Sequence, residues 1–460
     1  MTTHLAMGQW LGVAGSGLIA VGGVFVGVGP GSDGGAVFLP TAAVYLGMTL
    51  LTAGWFALRW APVGELIRAG VMWATPFLLS GPVFSRDVYS YVAQGVMTVV
   101  GLDPYRFGPS ALGGELAVNV PPIWQDTPAP YGPAFLGLAG SVTTVTQHEL
   151  WPGLVGMRVL AVAGIALTAL SVHRIARECG VDPAAAVWLG VLNPLVLLHL
   201  VVDAHNEAVM IGLMSAGLAL ALRHRPASGA VLITLAGLVK GPALLGLAFV
   251  AVAGARGLSG KGTWVRATAA TALTATTTAL AVTALTGTGF GWIPALRTPT
   301  LARTWMSITT DLGTLLGQFL DPAAADRARH ALWLAGLTAA GLIILMLLRR
   351  TAELGPVTAL GLALTALVVL SPVVHTWYLL WGFVPLAAAA PARVRRLVAY
   401  ATPPLILVTP PNGAEPGTHL ALGALIGVAA GLAVFAVLRT AQRRDVLAFA
   451  TPEPSRDTSR

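Results

Sequence analysis

The chain has 460 residues, 55% hydrophobic and only 10% charged, with mean hydropathy +0.76. Soluble domains carry about a quarter charged residues, so a soluble globular protein is excluded and a polytopic membrane protein is indicated. The net charge of +8 reports membrane orientation and is no argument for nucleic acid, because the basic residues recur in loops between apolar runs.

A helical span needs about 20 mostly apolar residues, and lipid offers the backbone no outside partner. About 14 such segments are expected, near 8–28, 36–58, 66–84, 151–172, 184–202, 207–222, 227–239, 241–254, 267–286, 330–348, 355–371, 377–391, 395–409 and 418–438. They make one multi-span domain over 1–450, followed by a disordered tail at 451–460. The first segment lacks a basic n-region and a clean cleavage site, and reads as a retained span.

Basic residues mark alternate loops, among them Arg59 and Arg68, Arg174 and Arg177, Arg256 and Lys261, and Arg349 and Arg350. The positive-inside rule makes these loops, and both termini, cytoplasmic. Residues 227–254 test the scheme, because a single span there reverses every later loop. Lys240-Gly241-Pro242 interrupts the run, and a hairpin with Lys240 at its outer turn keeps the scheme consistent. Cys179 is the only cysteine, so no intramolecular disulfide forms, and no Cys/His cluster has zinc spacing.

The longest extracytoplasmic loop is 85–150. Val88, Val92, Val96 and Val99 follow a helical period, which predicts an amphipathic helix at the membrane interface ending near Gly101. Pro121, Pro122, Pro128, Pro130 and Pro133 break the remainder into turns, and Asp103 shapes the turn before Pro104. A second outer loop, 286–330, carries Trp292, Arg297, Arg303 and Trp305, and a surface helix is expected from Ser307 to Leu320.

Ionisable groups at the edge of apolar segments are costly and tend to be kept for function. Asp87, a lone acid where an apolar stretch breaks into a loop, is therefore the first candidate for a catalytic base. The alternative is an ion pair with Arg86. Asp203, His205, Asn206, Lys240, Arg297, Arg303, His375, Trp377 and Tyr378 fall on the same predicted side. Each has a plainer reading as well. Lys240 can snorkel to headgroups, Asn206 can cap a helix, and Trp377 and Tyr378 can belong to an aromatic belt. Tyr89 and Tyr131 can serve as interface anchors, Asn193-Pro194 as a kink, and the arginines as lipid-phosphate contacts.

Asp87-Val88-Tyr89-Ser90-Tyr91, Gly101-Leu102-Asp103-Pro104-Tyr105 and Pro130-Tyr131-Gly132-Pro133 resemble the first external loop of the polyprenol-phosphate-mannose-dependent α-1,6-mannosyltransferases of actinobacteria. Leu192-Asn193-Pro194-Leu195, Ala204-His205-Asn206, Lys240-Gly241-Pro242 and Ser371-Pro372-Val373-Val374-His375-Thr376-Trp377-Tyr378 resemble later blocks of that family. There are three departures. Many related transferases carry paired acids in the first loop, whereas here Arg86 precedes Asp87. Asp203 lends an acid to the third block, and Thr376 stands where a proline is expected.

The resemblance implies an all-α membrane glycosyltransferase of the GT-C type, with interfacial helices in its extracytoplasmic loops and its active site outside the cytoplasmic membrane. Its partners are membrane lipid, a polyprenyl phosphate mannose donor and a lipomannan-type acceptor of the cell envelope. The expected chemistry is an inverting displacement with Asp87 as base. Lys240, Arg303 and Arg297 are assigned to the donor phosphate. Tyr89, Tyr131, Asp203, His205, Asn206, His375, Trp377 and Tyr378 are assigned to substrate. No cofactor or metal is expected, since the acid pair is missing. The alternatives are a transferase of arabinofuranose or glucose, or a lipid flippase or transporter, which predicts inverted repeats and polar groups near mid-membrane.

Overall fold

The computed structural model describes residues 2–26, 34–256, 261–296, 306–411 and 418–449, and these are helical without a strand. The longer helices are α1 (Thr2–Val26), α2 (Gly34–Ala57), α3 (Val63–Ala74), α4 (Asp87–Val100), α5 (Pro133–Val145), α6 (Leu150–Glu178) and α7 (Pro183–Gly190). They continue as α8 (Glu207–Leu222), α9 (Pro226–Val239), α10 (Leu245–Arg256), α11 (Thr263–Thr286) and α12 (Ile308–Gly317). The last are α13 (Pro322–Arg349), α14 (Pro356–Leu370), α15 (Leu380–Ala389), α16 (Ala392–Leu407) and α17 (Thr418–Phe449). The expected tail at 451–460 lies outside the described residues.

Six of these helices are long and apolar enough to cross a membrane: α1, α2, α6, α11, α13 and α17. A seventh candidate is a broken one, a π-helical turn at Val196–Val202 joined to α8 at a bend of 114°. The other expected segments are shorter because polar residues and prolines interrupt them. Segment 66–84 becomes α3 and a 3-10 turn at Thr75–Phe77. Segment 184–202 breaks at Asn193-Pro194, where Asn193 accepts from the Leu195 N–H and donates to Leu189 O and Thr402 Oγ1.

The chain reverses at Lys240. A Cβ on Gly246 would lie 3.1 Å from Ile233, and one on Gly254 would lie 3.4 Å from Pro226. Positions on α9 thus face their mirror positions on α10, which is the expected hairpin.

Loop 85–150 is more ordered than its prolines suggest. Its first helix, α4, ends at Gly101 in the left-handed conformation, the Gly101 N–H bonding to Met97 O. It is packed within the protein, because Val88 and every residue from Ser90 to Met97 is buried. A Cβ on Gly95 would sit 2.7 Å from Ala139 O of α5. Helix α5 itself went unread in the sequence: Pro133 starts it at the first turn and its apolar run packs into the core. In the second loop, Ser307 caps α12 by accepting from the Thr310 N–H, close to the expected start.

Helices α6 and α8 cross at small residues, Gly164 meeting Ala208 and Gly212 with backbone in contact. On the far side, Trp55 of α2 and Trp188 of α7 stack at 4.5 Å and exchange indole-to-carbonyl hydrogen bonds of 2.9 and 2.8 Å. These contacts fix the framework around one buried polar cluster.

Candidate active site

The cluster is built where three chain breaks meet: the entry to α4, the turn between the π-helical segment and α8, and the turn of the α9–α10 hairpin. The segment before α15 closes it. All three breaks follow from polar residues or prolines that a straight span does not accommodate.

The turn before α8 is strained. Ala204 adopts a φ of +51°, a conformation that costs a residue with a Cβ about 1–3 kcal/mol. It turns Asp203 and His205 to different partners. Oδ1 of Asp203 accepts from the Val83 and Phe84 N–H groups at 3.0 Å each, and Oδ2 lies 3.4 Å from His199 Nδ1. His199 Nε2 is 3.0 Å from Thr376 Oγ1. Asp203 thus holds the loop that delivers Asp87, and it is wholly buried.

His205 has other partners at its second nitrogen. Its Nδ1 is 3.2 Å from Tyr91 Oη and 3.8 Å from Asp87 Oδ2. Glu207 Oε2 lies 3.9 Å from the same nitrogen. Oε1 of Glu207 forms an ion pair with Lys240 Nζ from the hairpin turn. The ammonium group stands 4.7 Å over the Tyr378 ring and 5.9 Å from the rings of Tyr131 and Trp381, so aromatic faces carry part of its charge.

Asp87 opens α4, its N–H donating to Ser85 Oγ at 3.3 Å. Its side chain retains 23% of its exposure. Burial pushes its carboxyl up to about 6, against the lowering pull of Lys240 and a Trp124 hydrogen bond; Glu207 and Asp203 raise it further. A carboxylate with that pKa is a competent proton acceptor near neutral pH. Arg86 does not neutralise it. The guanidinium donates to Asn119 O at 2.7 Å and lies 5.4 Å over the Tyr89 ring.

Trp377 is sandwiched between two imidazoles, His205 at 4.3 Å and His375 at 4.2 Å. Burial, with Lys240 and His199 adding to it, drives the His375 imidazole down to about 3, so it is neutral at physiological pH. Tyr378 stacks on Trp381 at 4.4 Å. On the opposite wall Tyr131 meets Tyr91 edge-on at 5.2 Å. Its loop is set deep in the protein, since a Cβ on Gly132 would be 2.2 Å from Leu238 O.

The structure therefore brings together Asp87, His205, Lys240, Tyr131, His375, Trp377 and Tyr378. Asp203 adjoins them but faces backbone. Asn206 occupies the N-cap position of α8 without a capping bond, and both of its side-chain polar atoms are buried without a protein partner. Tyr89 is engaged with Arg86. Arg297 and Arg303 lie outside the described residues.

Sequence reasoning passed over Glu207, His199, Arg158 and Trp381. Arg158, inside α6, donates to Val201 O, Val202 O and Leu78 O at 2.8–3.0 Å and closes the frayed end of the π-helical turn. Glu207, His199 and Arg158 were each an ionisable residue in an apolar run, the signal that identified Asp87 and Lys240.

A family model described as "Alpha-(1->6)-mannopyranosyltransferase, N-terminal domain" matches residues 9–256, and one described as "MptB C-terminal domain" matches 306–440. The chain is 31% identical to an alpha-(1->6)-mannopyranosyltransferase of Mycobacterium tuberculosis, over 95% of this chain and 87% of the relative. A second such enzyme of that organism, alpha-(1->6)-mannopyranosyltransferase A, is 33% identical over 96% and 92%. A Mycolicibacterium smegmatis protein named "Probable alpha-(1->6)-mannopyranosyltransferase" is 36% identical over 76% and 72%. No solved structure gives a significant match.

Proposed function

The chain belongs to the alpha-(1->6)-mannopyranosyltransferase family and is a mannosyltransferase, and on that premise we propose that it takes mannose from polyprenyl phosphate mannose. The acceptor is a growing α-1,6-mannan of the lipomannan type, outside the cytoplasmic membrane. The observation that carries this reading is the convergence of the Asp87 carboxylate with the Lys240–Glu207 ion pair between aromatic walls.

The reaction needs a base, an anion contact and positioning. Asp87 accepts the proton of the acceptor hydroxyl as its oxygen attacks C1 of the donor mannose. The bond from C1 to the phosphate oxygen breaks, and polyprenyl phosphate leaves with the electron pair. One displacement inverts the anomeric centre, with no covalent enzyme intermediate. Lys240 stabilises the departing phosphate, with Arg297 and Arg303 as further contacts. Its pair with Glu207 keeps the ammonium charged and aimed before substrate arrives.

Trp377, Tyr378, His375 and Tyr131 offer flat faces and polar edges to the sugars, and the buried amide of Asn206 holds two unpartnered polar atoms that reach a sugar only when the site opens. Tyr89, held by Arg86, shapes the rim. The bundle is read as GT-C type, with the termini cytoplasmic and the lipid tail of the donor in the membrane.

The test is transfer by the purified chain from radiolabelled polyprenyl phosphate mannose to a short α-1,6-mannoside. Elongation supports the proposal. Elongation from polyprenyl phosphate glucose or arabinofuranose, with none from the mannose donor, overturns the donor assignment. Scrambling of lipid between leaflets without transfer overturns the enzymatic reading.

A further inference from the structure

We propose that His199, Asp203 and His205 form a binding site for one divalent transition-metal cation, behind the face that carries Asp87. The inference is independent of the donor or acceptor proposed above. It runs against the expectation of metal independence drawn from the missing acid pair.

Each of the three residues offers a ligand atom within 4.8 Å of those of the other two, and all three side chains are fully buried. Burying polar atoms without partners is costly. Nonetheless His199 Nδ1, Asp203 Oδ2 and His205 Nε2 all lack a hydrogen bond within the protein. His199 Nδ1 and Asp203 Oδ2 stand 3.4 Å apart, long for a charge-assisted hydrogen bond. Two ligands at about 2.1 Å on a tetrahedral centre are separated by about 3.4 Å. The widest separation in the trio, at most 4.8 Å, must close by up to about 1.4 Å when an ion binds.

The opposite atom of each side chain is held. His199 Nε2 meets Thr376 Oγ1 at 3.0 Å, Asp203 Oδ1 takes two backbone N–H groups, and His205 Nδ1 meets Tyr91 Oη. Metal-binding histidines and carboxylates are commonly oriented through their second heteroatom in this way. Two imidazoles and one carboxylate favour Zn²⁺ or Mn²⁺ over Mg²⁺ or Ca²⁺, which prefer all-oxygen sites.

The position suggests a brace. An ion there joins the π-helical turn to both sides of the strained Ala204, and through Asp203 to the Val83–Phe84 backbone that leads into Asp87. It fixes His205 and Glu207 without touching substrate, since none of its ligands is exposed.

The test uses the whole chain purified in detergent without chelator, with bound metal measured by mass spectrometry. After stripping and dialysis, Zn²⁺ or Mn²⁺ alone is added back while stoichiometry and Tm are read. About one equivalent per chain and a Tm raised by several degrees are expected. Mg²⁺ and Ca²⁺ should give neither. Asp203→Asn retains the acceptor for Val83 and Phe84, and with His199→Gln should lower occupancy at least tenfold and abolish the Tm rise. X-ray absorption of the metal-loaded wild type, which needs no variant, should report N/O ligands at about 2.1 Å with imidazole scattering. No uptake by the wild type, full occupancy in a folded variant, or a spectrum without imidazole overturns the site.

Discussion

His205 Nδ1 lies 3.8 Å from Oδ2 of Asp87 and 3.2 Å from the hydroxyl of Tyr91. Two chain segments far apart in sequence thus place an imidazole against the carboxylate that is proposed to take the acceptor proton. The stack of His205 on Trp377 fixes the ring plane, so the imidazole reads as a positioning group for that carboxylate.

The carboxyl pKa gives a pH dependence with a definite sign. Asp87 is raised to about 6 by burial from an ordinary value of about 3.9. A base of this kind works ionised, so kcat/KM should fall tenfold per unit below pH 6 and level off above it. The folded state holds the proton where the unfolded state has released it, so Asp87 makes stability fall as pH rises from about 4 to 6. A cation at the proposed site draws the midpoint down, so the profile should be measured with and without chelator. A flat profile from pH 5 to 8 in both contradicts the assignment.

The Lys240–Glu207 pair is nearly all buried, with side-chain exposures of 12% and 0%. Removing one partner of such a pair costs about 3–5 kcal/mol, whereas replacing both by apolar groups costs much less. Glu207→Gln should therefore lower Tm markedly. Glu207→Leu combined with Lys240→Met should recover most of that loss while leaving KM for the lipid-linked donor raised. Equal stability in all three proteins contradicts a coupled pair.

Gly132 carries the Tyr131 loop against α9. A Cβ there would fall 2.2 Å from Leu238 O, which is backbone and yields little. Gly132→Ala should cost about 1–3 kcal/mol and weaken substrate binding by moving Tyr131. Unchanged Tm and KM contradict the close approach.

Cys179 is exposed and sits in a loop expected on the cytoplasmic side. A membrane-impermeant maleimide should label it in inverted vesicles and leave it unlabelled in intact cells. In a Cys179→Ala background, Ile123→Cys in the loop after α4 should show the reverse. Labelling of both positions from one side contradicts the proposed orientation.

Much of this was legible in the sequence because it follows from cost. Asp87 and Lys240 stood out as charges among apolar residues, the break at Lys240 forecast the hairpin, and Gly101 marked the end of α4. Other parts turn on tertiary contact. The burial of α4 was hidden because its small and apolar residues suit packing in protein as well as an interface. Helix α5 was hidden by the prolines before it, although Pro133 is itself a helix start. An ion pair of Arg86 with Asp87 was the alternative that adjacency left open, and only the fold shows Arg86 bound to Asn119 O. Glu207 was legible by the rule that identified Lys240, and their pairing required the two turns to meet.

The central claim is that Asp87 is the base, and Asp87→Asn tests it most directly. The substitution conserves shape and removes a partly buried charge whose carboxyl is raised by desolvation, so the variant should be at least as stable as the wild type at pH 7. With radiolabelled polyprenyl phosphate mannose and an α-1,6-mannoside acceptor, transfer by the folded variant should fall about 100- to 10,000-fold with donor binding retained. Undiminished transfer by a folded Asp87→Asn protein contradicts the account.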